Sequence, residues 1–249
     1  MSSWPIKKSL PRALLDRCRH LKEEWRQRRR SCEEAFTEVY EQNRWGGRLG
    51  EYCSGAGSSE EAIVGPYIEA VSREAAAEGF RGSRFVDLGC GDFQVGTRLL
   101  DLCSTYTGAD VVKALIERNQ RHHGGDRVRF LHLDMVRDDL PDGDVCFVRQ
   151  VFQHLSNRQI GVVLPKLHKY RWVFITEHYP DDNPAIEPNK DIVHGGSLRI
   201  FVNSGVYLDR PPFNLPASKL REVLSLSKIT TPAGSIPGVI RTFLYKPGD

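Results

Sequence analysis

The sequence predicts an α/β fold built on a doubly wound, mostly parallel sheet. Residues 85–96 read as a buried strand, a glycine turn and the start of a helix, a unit that brings backbone N–H groups up to a ligand. Beyond it, short apolar runs alternate with helix-like segments, which is typical of parallel strands joined by crossing helices. Three of the predicted strands end in an aspartate. Because parallel strands bring their carboxyl ends to one edge, we expect these acids to face one ligand.

The composition fits one large α/β domain with an added segment. The chain has 249 residues, of which 40% are hydrophobic, enough for a sizeable core. A net charge of +3 gives no argument for a nucleic-acid partner. The six cysteines include no C-x-x-C pair, so we expect reduced thiols, a cytoplasmic protein and no metal site. No apolar run approaches the ~20 residues of a membrane span, and the first residues lack the apolar core of a signal peptide.

The first 79 residues are predicted to form a helical N-terminal extension. Apolar residues recur at steps of three and four over residues 10–43, which indicates a long helix or a helix pair. The first thirty residues are strongly basic. We expect this helix to pack on the main domain or on a second copy of the chain, which would make a homodimer. Its charge leaves open a patch for RNA or for an acidic partner.

Residues 44–59 are rich in glycine and serine but carry two aromatic residues, Trp45 and Tyr52. The segment is predicted to contain neither helix nor strand. It is either a plain connector or a lid whose aromatic side chains shield a bound ligand from water. Ser58 or Ser59 is predicted to cap the next helix, with Glu61 completing a capping box from Ser58.

Two glycines, Gly89 and Gly91, let the backbone turn sharply and approach a ligand after the first strand. A dinucleotide site would require a third glycine where the chain has Gln94, which disfavours a dehydrogenase. An acid, Asp87, precedes the turn instead. The run Asp-Leu-Gly-Cys-Gly resembles motif I of the class I S-adenosylmethionine (SAM) methyltransferases. In that family the loop cradles the methionine part of SAM, so the resemblance implies SAM as the cofactor.

The alternation after the glycine turn predicts the remaining parallel strands. Asp110 ends the second strand, where a carboxylate can accept both hydroxyl groups of a ribose. Asp134 ends the third strand and could accept the amino group of adenine. Their order resembles that of the ribose and adenine acids of class I methyltransferases. The predicted strands are 106–110, 128–133, 144–148 and 172–177, and the predicted helices are 113–123 and 157–169.

The fourth strand leads into residues 148–157, which resemble the part of SAM methyltransferases where cofactor and acceptor meet. Gln150 would lie beside the transferred methyl group. His154 could be a base, a binding group or a buried histidine. The predicted cofactor-binding residues are Asp87, Gly89, Gly91, Asp110, Asp134, Met135, Gln150 and Ser58.

A long loop, residues 178–213, is the candidate acceptor-binding region, since long loops in compact domains are often functional. A short strand is predicted within it at 198–202. Two of its arginines, Arg199 and Arg210, could pair with a carboxylate or a phosphate. The predicted catalytic residues are His154, Glu177 and His178, each a possible base, and the predicted substrate-binding residues are Trp45, Tyr52, His194, Arg199 and Tyr207.

The C-terminal part predicts a helix at 215–224 and two strands at 226–231 and 239–246. The class I methyltransferase fold ends with an antiparallel hairpin of this kind. The resemblance covers residues 80–246. It implies a Rossmann-like, doubly wound, mostly parallel seven-stranded sheet with an antiparallel C-terminal hairpin, so we take residues 80–249 as the SAM-binding domain.

These features predict a SAM-dependent methyltransferase that moves a methyl group to an oxygen or nitrogen atom of a small polar molecule. A natural product, a sugar, or a phosphorylated or carboxylated metabolite would fit, in a biosynthetic role. One alternative is an RNA methyltransferase that uses the basic N-terminal helix, although no Asn-Pro-Pro-Tyr-like motif is present. Another is a non-catalytic adaptor that keeps the fold, against which the three acids at strand ends argue.

Overall fold

The computed structural model describes residues 29–48, 51–231 and 234–248 of the chain. The predicted helix over residues 10–28, and with it any dimer contact that it makes, lies outside the described residues. The helices are α1 (Cys32–Glu41), α2 (Ala56–Ser59), α3 (Glu61–Ala77), α4 (Gln94–Thr97), α5 (Lys113–His123) and α6 (Asn157–Lys166). The strands are β1 (Ser83–Leu88), β2 (Cys103–Asp110), β3 (Val128–His132), β4 (Val145–Arg149), β5 (Trp172–Tyr179), β6 (Leu220–Thr231) and β7 (Gly234–Tyr245).

The seven strands form one sheet in the order β3-β2-β1-β4-β5-β7-β6. β1 to β5 pair in parallel, and β7 enters antiparallel between β5 and β6. The strand order reverses at β1, from which the chain runs first outward to β3 and then crosses to β4. Open α/β sheets bind ligands beyond the carboxyl ends of the strands at such a reversal. The predicted Rossmann-like fold with an antiparallel C-terminal hairpin is therefore confirmed.

Both faces of the sheet are buried, as parallel sheets require. Alternate residues of each central strand pack into two separate hydrophobic clusters, because successive side chains of a strand point to opposite faces. On β4, Cys146 and Val148 belong to one cluster, while Val145 and Phe147 belong to the other. Among the described residues, no helix is long and apolar enough to cross a membrane.

The N-terminal elements differ from the prediction. Ser31 and Glu34 form a capping box that begins α1, and residues 29–31 are not helical, so a single helix does not run through to residue 43. A one-turn helix, α2, occupies residues predicted to be irregular. The capping box predicted from Ser58 is wrong, because Ser58 lies within α2 and α3 starts after Glu60 with no side-chain cap.

Three further differences lie after the glycine turn. The helix behind the turn, α4, is only four residues long. The predicted strand at 198–202 is a short 3-10 helix, Arg199–Val202. The predicted helix at 215–224 is absent: residues 217–219 form a 3-10 turn, and β6 begins at Leu220 and pairs with β7.

Candidate functional site

A cavity of about 470 Å³ opens at the carboxyl ends of the central strands. The cavity has two ends, a glycine-turn end and a histidine end. The glycine-turn end is lined by Gly89, Gly91, Asp92, Asp110, Val111, Asp134 and Met135. The histidine end is lined by Ile63, Gln153, His154, His178, Leu198, Ile200, Ile236 and Ile240.

The glycine turn allows a ligand to approach the backbone closely. Gly89 and Gly91 have φ values of +78° and +53°, which favour glycine over other residues. A Cβ atom on Gly89 would lie 2.5 Å from Val151 Cγ2, and one on Gly91 would lie 2.4 Å from Ser54 Oγ. Neither position has room for a side chain, because Val151 and Ser54 already fill the space, so the turn lines the cavity through its backbone.

Asp110 ends β2 and is held by the backbone around it. Its Oδ2 accepts a hydrogen bond from the Gly91 N–H at 3.1 Å, and its Oδ1 accepts one from the Val112 N–H at 3.0 Å. Burial raises the pKa of this carboxyl group, and the two N–H donors oppose that rise. The carboxylate thereby fixes the glycine turn against β2 and still lines the cavity, where an acceptor of ribose hydroxyls is needed.

Asp87, on β1, is buried beneath the turn and lines the cavity. The Tyr106 hydroxyl donates to its Oδ2 at 2.6 Å. Burial raises the pKa of Asp87 to about 6, while the Tyr106 hydrogen bond and the nearby Arg149 lower it. A buried acid with few donors has capacity left for a cationic ligand group.

Asp134 lies two residues beyond the end of β3, rather than at its last residue. Its Oδ1 accepts a hydrogen bond from the Val136 N–H at 2.9 Å, which forms a local turn. Asp134 and Met135 both line the glycine-turn end. Their positions agree with the predicted adenine side of the site.

α1 and residues 51–59 cover the glycine-turn end. Tyr40 Oη and Ser54 Oγ are 2.9 Å apart. The Ser54 N–H donates to Asp92 Oδ2 at 3.0 Å, and the Asp92 N–H donates to Ser54 Oγ at 2.8 Å. This reciprocal pair ties the covering segment directly to the glycine turn.

Trp45 joins the same cover to the loop after β5. Its indole N–H donates to the Gly196 carbonyl at 3.2 Å, and its ring lies 4.9 Å from the His154 ring, centroid to centroid. Phe36 of α1 contacts both rings. Trp45 lines the cavity as predicted, whereas Tyr52 packs on Tyr40 outside the lining.

Gln150 follows β4 in a left-handed conformation, with φ of +55°. Its N–H donates to the Thr176 carbonyl at 2.6 Å. Its side chain lies against Gly57, where a Cβ atom would fall 1.8 Å from Gln150 Oε1. A strained backbone of this kind is common at functional sites. Gln150 and Ser58 both line the cavity.

His154 is a neutral hydrogen-bond acceptor. Its Nδ1 faces the carbonyls of Gly195 and Ser197 at 3.1 and 3.3 Å, so Nδ1 carries the proton and Nε2 keeps its lone pair. Burial lowers the pKa of His154 to about 4. This pKa makes His154 a weak base at neutral pH and suits it to orienting a donor group.

His178 has the same arrangement with its nitrogens exchanged. Its Nε2 donates to the Pro237 carbonyl at 2.6 Å, so Nδ1 is left as an acceptor. Burial lowers the pKa of His178 as well. Gln153 connects the two histidines. Its side-chain amide nitrogen lies 3.4 Å from His154 Nε2, and its side-chain oxygen accepts a hydrogen bond from the backbone N–H of His178 at 3.2 Å.

Glu177 does not line the cavity, and its prediction as a base is wrong on geometric grounds. Its side chain is fully buried, and its two oxygens accept the N–H groups of Phe152 and Gln153, each at 2.9 Å. Burial raises the pKa of Glu177 to about 8 against these donors. Glu177 instead holds the 3-10 turn that carries His154.

Besides Tyr52, three more of the predicted substrate-binding residues lie outside the cavity lining. Arg199 is fully buried, and its guanidinium donates to the carbonyls of Lys190 and Leu155, which ties the loop to the end of the 3-10 turn that carries His154. His194 Nε2 lies 3.1 Å from the Arg30 carbonyl. Tyr207 packs on Tyr179. The loop does contribute to the cavity, through its apolar residues rather than through these polar ones.

Several residues that line the cavity were not predicted from the sequence. Isoleucines that lie far apart in the sequence meet only because α3 packs near β7, so no local pattern could find them. Arg149 did carry a signal, since an arginine that ends an apolar strand is unusual. The missed residues are Phe36, Tyr40, Ser54, Ile63, Tyr67, Arg149, Gln153, Ile200, Ile236 and Ile240.

Residues 86–163 match the family model of a methyltransferase domain. No curated protein matches the chain at the level of sequence. The N-methyltransferase NodS from Bradyrhizobium japonicum WM9, solved with S-adenosylhomocysteine (SAH), has a similar structure. It gives a TM-score of 0.56 and 12% identity, over 87% of this chain and 99% of that chain.

Two further solved structures share the fold. The 1,6-didemethyltoxoflavin-N1-methyltransferase of Burkholderia thailandensis gives a TM-score of 0.53 and 16% identity, over 97% of this chain and 94% of that chain. A SAM-dependent methyltransferase of Leishmania major gives a TM-score of 0.51 and 15% identity, over 84% of this chain and 91% of that chain. The family match over residues 86–163, the strand order and the acids around the glycine turn together support a SAM-dependent methyltransferase and imply SAM as the cofactor.

Proposed function

We propose that the protein transfers a methyl group from SAM to a nitrogen or oxygen atom of a small, uncharged molecule. The observation that carries this proposal is the composition of the histidine end. Two neutral imidazoles line the cavity together with Ile63, Ile236 and Ile240. His178 keeps Nδ1 as an acceptor, and His154 Nε2 faces the Gln153 amide nitrogen at 3.4 Å, a long hydrogen bond that a ligand donor can replace. Such a site suits an acceptor that presents an N–H or O–H group from an apolar body.

Charge at the histidine end argues against an anionic acceptor. Arg199, expected to pair with a carboxylate or a phosphate, is engaged by backbone carbonyls away from the cavity. The Arg210 guanidinium lies over the Tyr207 ring, 5.3 Å from its centroid, and neither residue lines the cavity. A phosphate placed among these isoleucines would lose its hydration without gaining a cation, which is costly.

The residues of the glycine-turn end fit SAM. Gly89 and Gly91 line this end with backbone, Asp110 would accept hydrogen bonds from the ribose hydroxyls, and Asp134 and Met135 would lie beside the adenine. SAM, when bound, supplies an electrophilic methyl group on a positively charged sulfur. The protein contributes alignment, because methyl transfer needs the acceptor atom about 3 Å from the methyl carbon and in line with the breaking bond.

His154 and His178 orient the substrate that receives the methyl group, and they are weak bases toward it. A hydrogen bond from the substrate's N–H or O–H to His154 Nε2, in place of the 3.4 Å contact from the Gln153 amide, would hold the lone pair of the substrate's nitrogen or oxygen along a fixed direction. Because burial holds the pKa of His154 at about 4, the imidazole keeps this lone pair throughout the neutral range. Trp45 and Phe36 pack against His154 and fix its ring plane.

The test is a turnover screen with SAM and four acceptor classes: uncharged heteroaromatic amines and phenols, a sugar phosphate, a carboxylic acid, and RNA. Release of SAH is measured for each. We expect turnover with members of the uncharged class alone. Turnover confined to the phosphate, the carboxylic acid or RNA would contradict the proposal.

Paired histidine variants sharpen the screen. His154→Ala should lower kcat/KM for the preferred acceptor at least about tenfold, because it removes an oriented hydrogen bond, and should leave the Kd of SAH unchanged. His168→Ala is the matched control, because His168 contacts Tyr245 outside the cavity lining. Equal effects of the two substitutions would contradict the role of His154.

Three further expectations stay proposals. Residues 1–79 would form the extension that closes over the cofactor, and residues 80–249 would form the SAM-binding domain. The hydrogen bonds from Ser54 to Asp92 and from Trp45 to Gly196 support the closing role.

A cytoplasmic location is supported by the free cysteines of the described residues. A homodimer would depend on the basic N-terminal residues.

A further inference from the structure

Gln153 is a buried amide in the wall of the histidine end. It belongs to the 3-10 turn Phe152–His154 after β4, and it lines the cavity although the residue is only 3% exposed. The Glu177 carboxylate holds this turn by accepting the backbone N–H groups of Phe152 and Gln153. The amide therefore has a fixed position beside the two histidines.

The orientation of the Gln153 amide follows from its neighbours. Its Oε1 accepts the backbone N–H of His178 at 3.2 Å, and an –NH₂ group turned toward that N–H would set two donors against each other. The –NH₂ group therefore faces His154 Nε2 and the Gln150 carbonyl, each at 3.4 Å. His154 Nε2 is an acceptor because Nδ1 carries the proton, so donor and acceptor agree at this contact.

The two contacts of the –NH₂ group are weak. Both are longer than the roughly 2.7–3.2 Å that is typical of hydrogen bonds from an N–H group. A buried donor and a buried acceptor that meet at such a distance gain free energy when a ligand offers each of them a shorter bond. Gln153 and His154 thus present one N–H donor and one nitrogen acceptor, side by side, to the cavity.

A substrate that donates only to His154 Nε2 would disturb this pair. It would displace one Gln153 N–H from its partner, in a part of the cavity that Ile63 and Ile240 line. A buried donor that loses its acceptor carries the cost of its desolvation. A substrate with an acceptor of its own, next to the donor that binds His154, removes that cost by accepting the freed N–H.

We propose that Gln153 and His154 together bind an edge of the substrate on which an N–H or O–H group stands beside a hydrogen-bond acceptor. Lactams carry such an edge, as do heterocycles with a ring N–H next to an unprotonated ring nitrogen. The inference rests on the proposed function, because it names one class among the uncharged substrates of that site. Gln153 then determines specificity, since a site that hydrogen-bonds a substrate group discriminates against analogues that lack it.

The test compares three uncharged probes of similar size on the full chain saturated with SAH, by titration followed with NMR. Oxindole has an N–H beside a carbonyl, indole has the N–H alone, and 1-methyloxindole has the carbonyl alone. Wild-type protein should bind oxindole about tenfold or more tightly than either of the others, because each of those leaves one hydrogen bond unmade. Indole is the more apolar molecule, so burial of apolar surface works against this result.

Gln153→Met removes the amide donor and keeps a side chain of similar length. It should bring the affinities for oxindole and indole to within about threefold of each other, and the Kd of SAH should not change. Gln120→Met is the matched control, because Gln120 Oε1 also accepts a backbone N–H, that of Phe130 at 3.0 Å, but Gln120 lies outside the cavity lining. The control should keep the wild-type preference for oxindole.

Failure of wild-type protein to bind oxindole more tightly than indole would overturn the inference, and this result decides even if Gln153→Met does not fold. Equal weakening of all three probes by Gln153→Met would assign Gln153 a structural role and would overturn it as well. Neither result contradicts the proposed function, because oxindole and indole are both uncharged. That function fails separately, when the turnover screen gives products from charged acceptors alone.

Discussion

The two ends of the cavity are built in different ways. The glycine-turn end takes Gly89, Gly91 and Asp92 from one stretch of four residues, Asp110 from the end of β2, and Asp134 from the turn after β3. The histidine end takes Ile63 from α3, His178 from β5, and Ile236 and Ile240 from β7. One end depends on backbone geometry and buried acids, the other on apolar side chains brought together by packing. Substitutions should therefore affect the two ends differently.

The largest effect is expected for Asp110→Ala. The substitution removes the acceptor of the Gly91 and Val112 N–H groups together with the proposed ribose contact. The Kd of SAH should rise by roughly 100-fold or more, as expected when several charge-assisted hydrogen bonds are lost. Calorimetry measures the effect, and Asp101→Ala, at an exposed position before β2, is the control. Wild-type affinity in Asp110→Ala would refute the cofactor site.

The glycine turn offers a matched pair of backbone substitutions. Gly91→Ala and Gly79→Ala both place alanine at positive φ, +53° and +73°, and both should lower stability by about 1 kcal/mol. Only Gly91→Ala also brings a Cβ atom against Ser54 Oγ, at 2.4 Å, whereas Gly79 has nothing within 4 Å.

Gly91→Ala should therefore weaken SAH binding by roughly tenfold or more, while Gly79→Ala should leave it unchanged. Thermal unfolding and calorimetry on both variants separate stability from affinity. If the two variants bind SAH equally well, the turn is not approached closely by the cofactor.

The pH dependence of binding should differ between ligands with and without an ammonium group. Burial raises the pKa of Asp87 to about 6, so the carboxylate is mostly ionised above pH 6 and mostly protonated below it. The ionised Asp87 carboxylate attracts the α-ammonium group of SAH. The affinity of the protein for SAH should therefore fall about tenfold between pH 7 and pH 5.

5′-Methylthioadenosine lacks the ammonium group but keeps the ribose, so its affinity should stay level over the same range. Asp87→Asn should remove the difference between the two ligands. Parallel pH profiles for SAH and 5′-methylthioadenosine in wild-type protein would contradict the role of Asp87.

The smallest effect on chemistry is expected at Glu177. Glu177→Gln replaces an acceptor oxygen by an amide N–H₂ that faces a backbone N–H of residue 152 or 153. The free energy of unfolding should fall by about 1–3 kcal/mol, while turnover per folded molecule should stay within about threefold of wild type. Denaturant unfolding and turnover with the acceptor identified by the screen check both parts. A loss of turnover without a loss of stability would restore Glu177 as a base.

The same contrast explains what the sequence could predict. Asp87, the two glycines and Asp110 belong to local patterns, each at a strand end, and the sheet then brings those ends together. Arg199 shows the opposite case. Its charge suggests that it binds an anionic substrate, but its guanidinium donates hydrogen bonds to the backbone carbonyls of Lys190 and Leu155. Residues 215–224 are rich in helix-forming residues, yet from Leu220 onward they are strand because they pair with β7. Contacts between distant elements decided both, and no local pattern records them.

The most direct measurement is a crystal structure of the full chain with SAH. The ribose hydroxyls should lie within hydrogen-bond distance of Asp110, and the sulfur should face the histidine end, with His154 and His178 beyond it. An adenine bound among Ile63, Ile236 and Ile240, or a sulfur facing away from the two histidines, would contradict the division of the cavity into a cofactor half and an acceptor half.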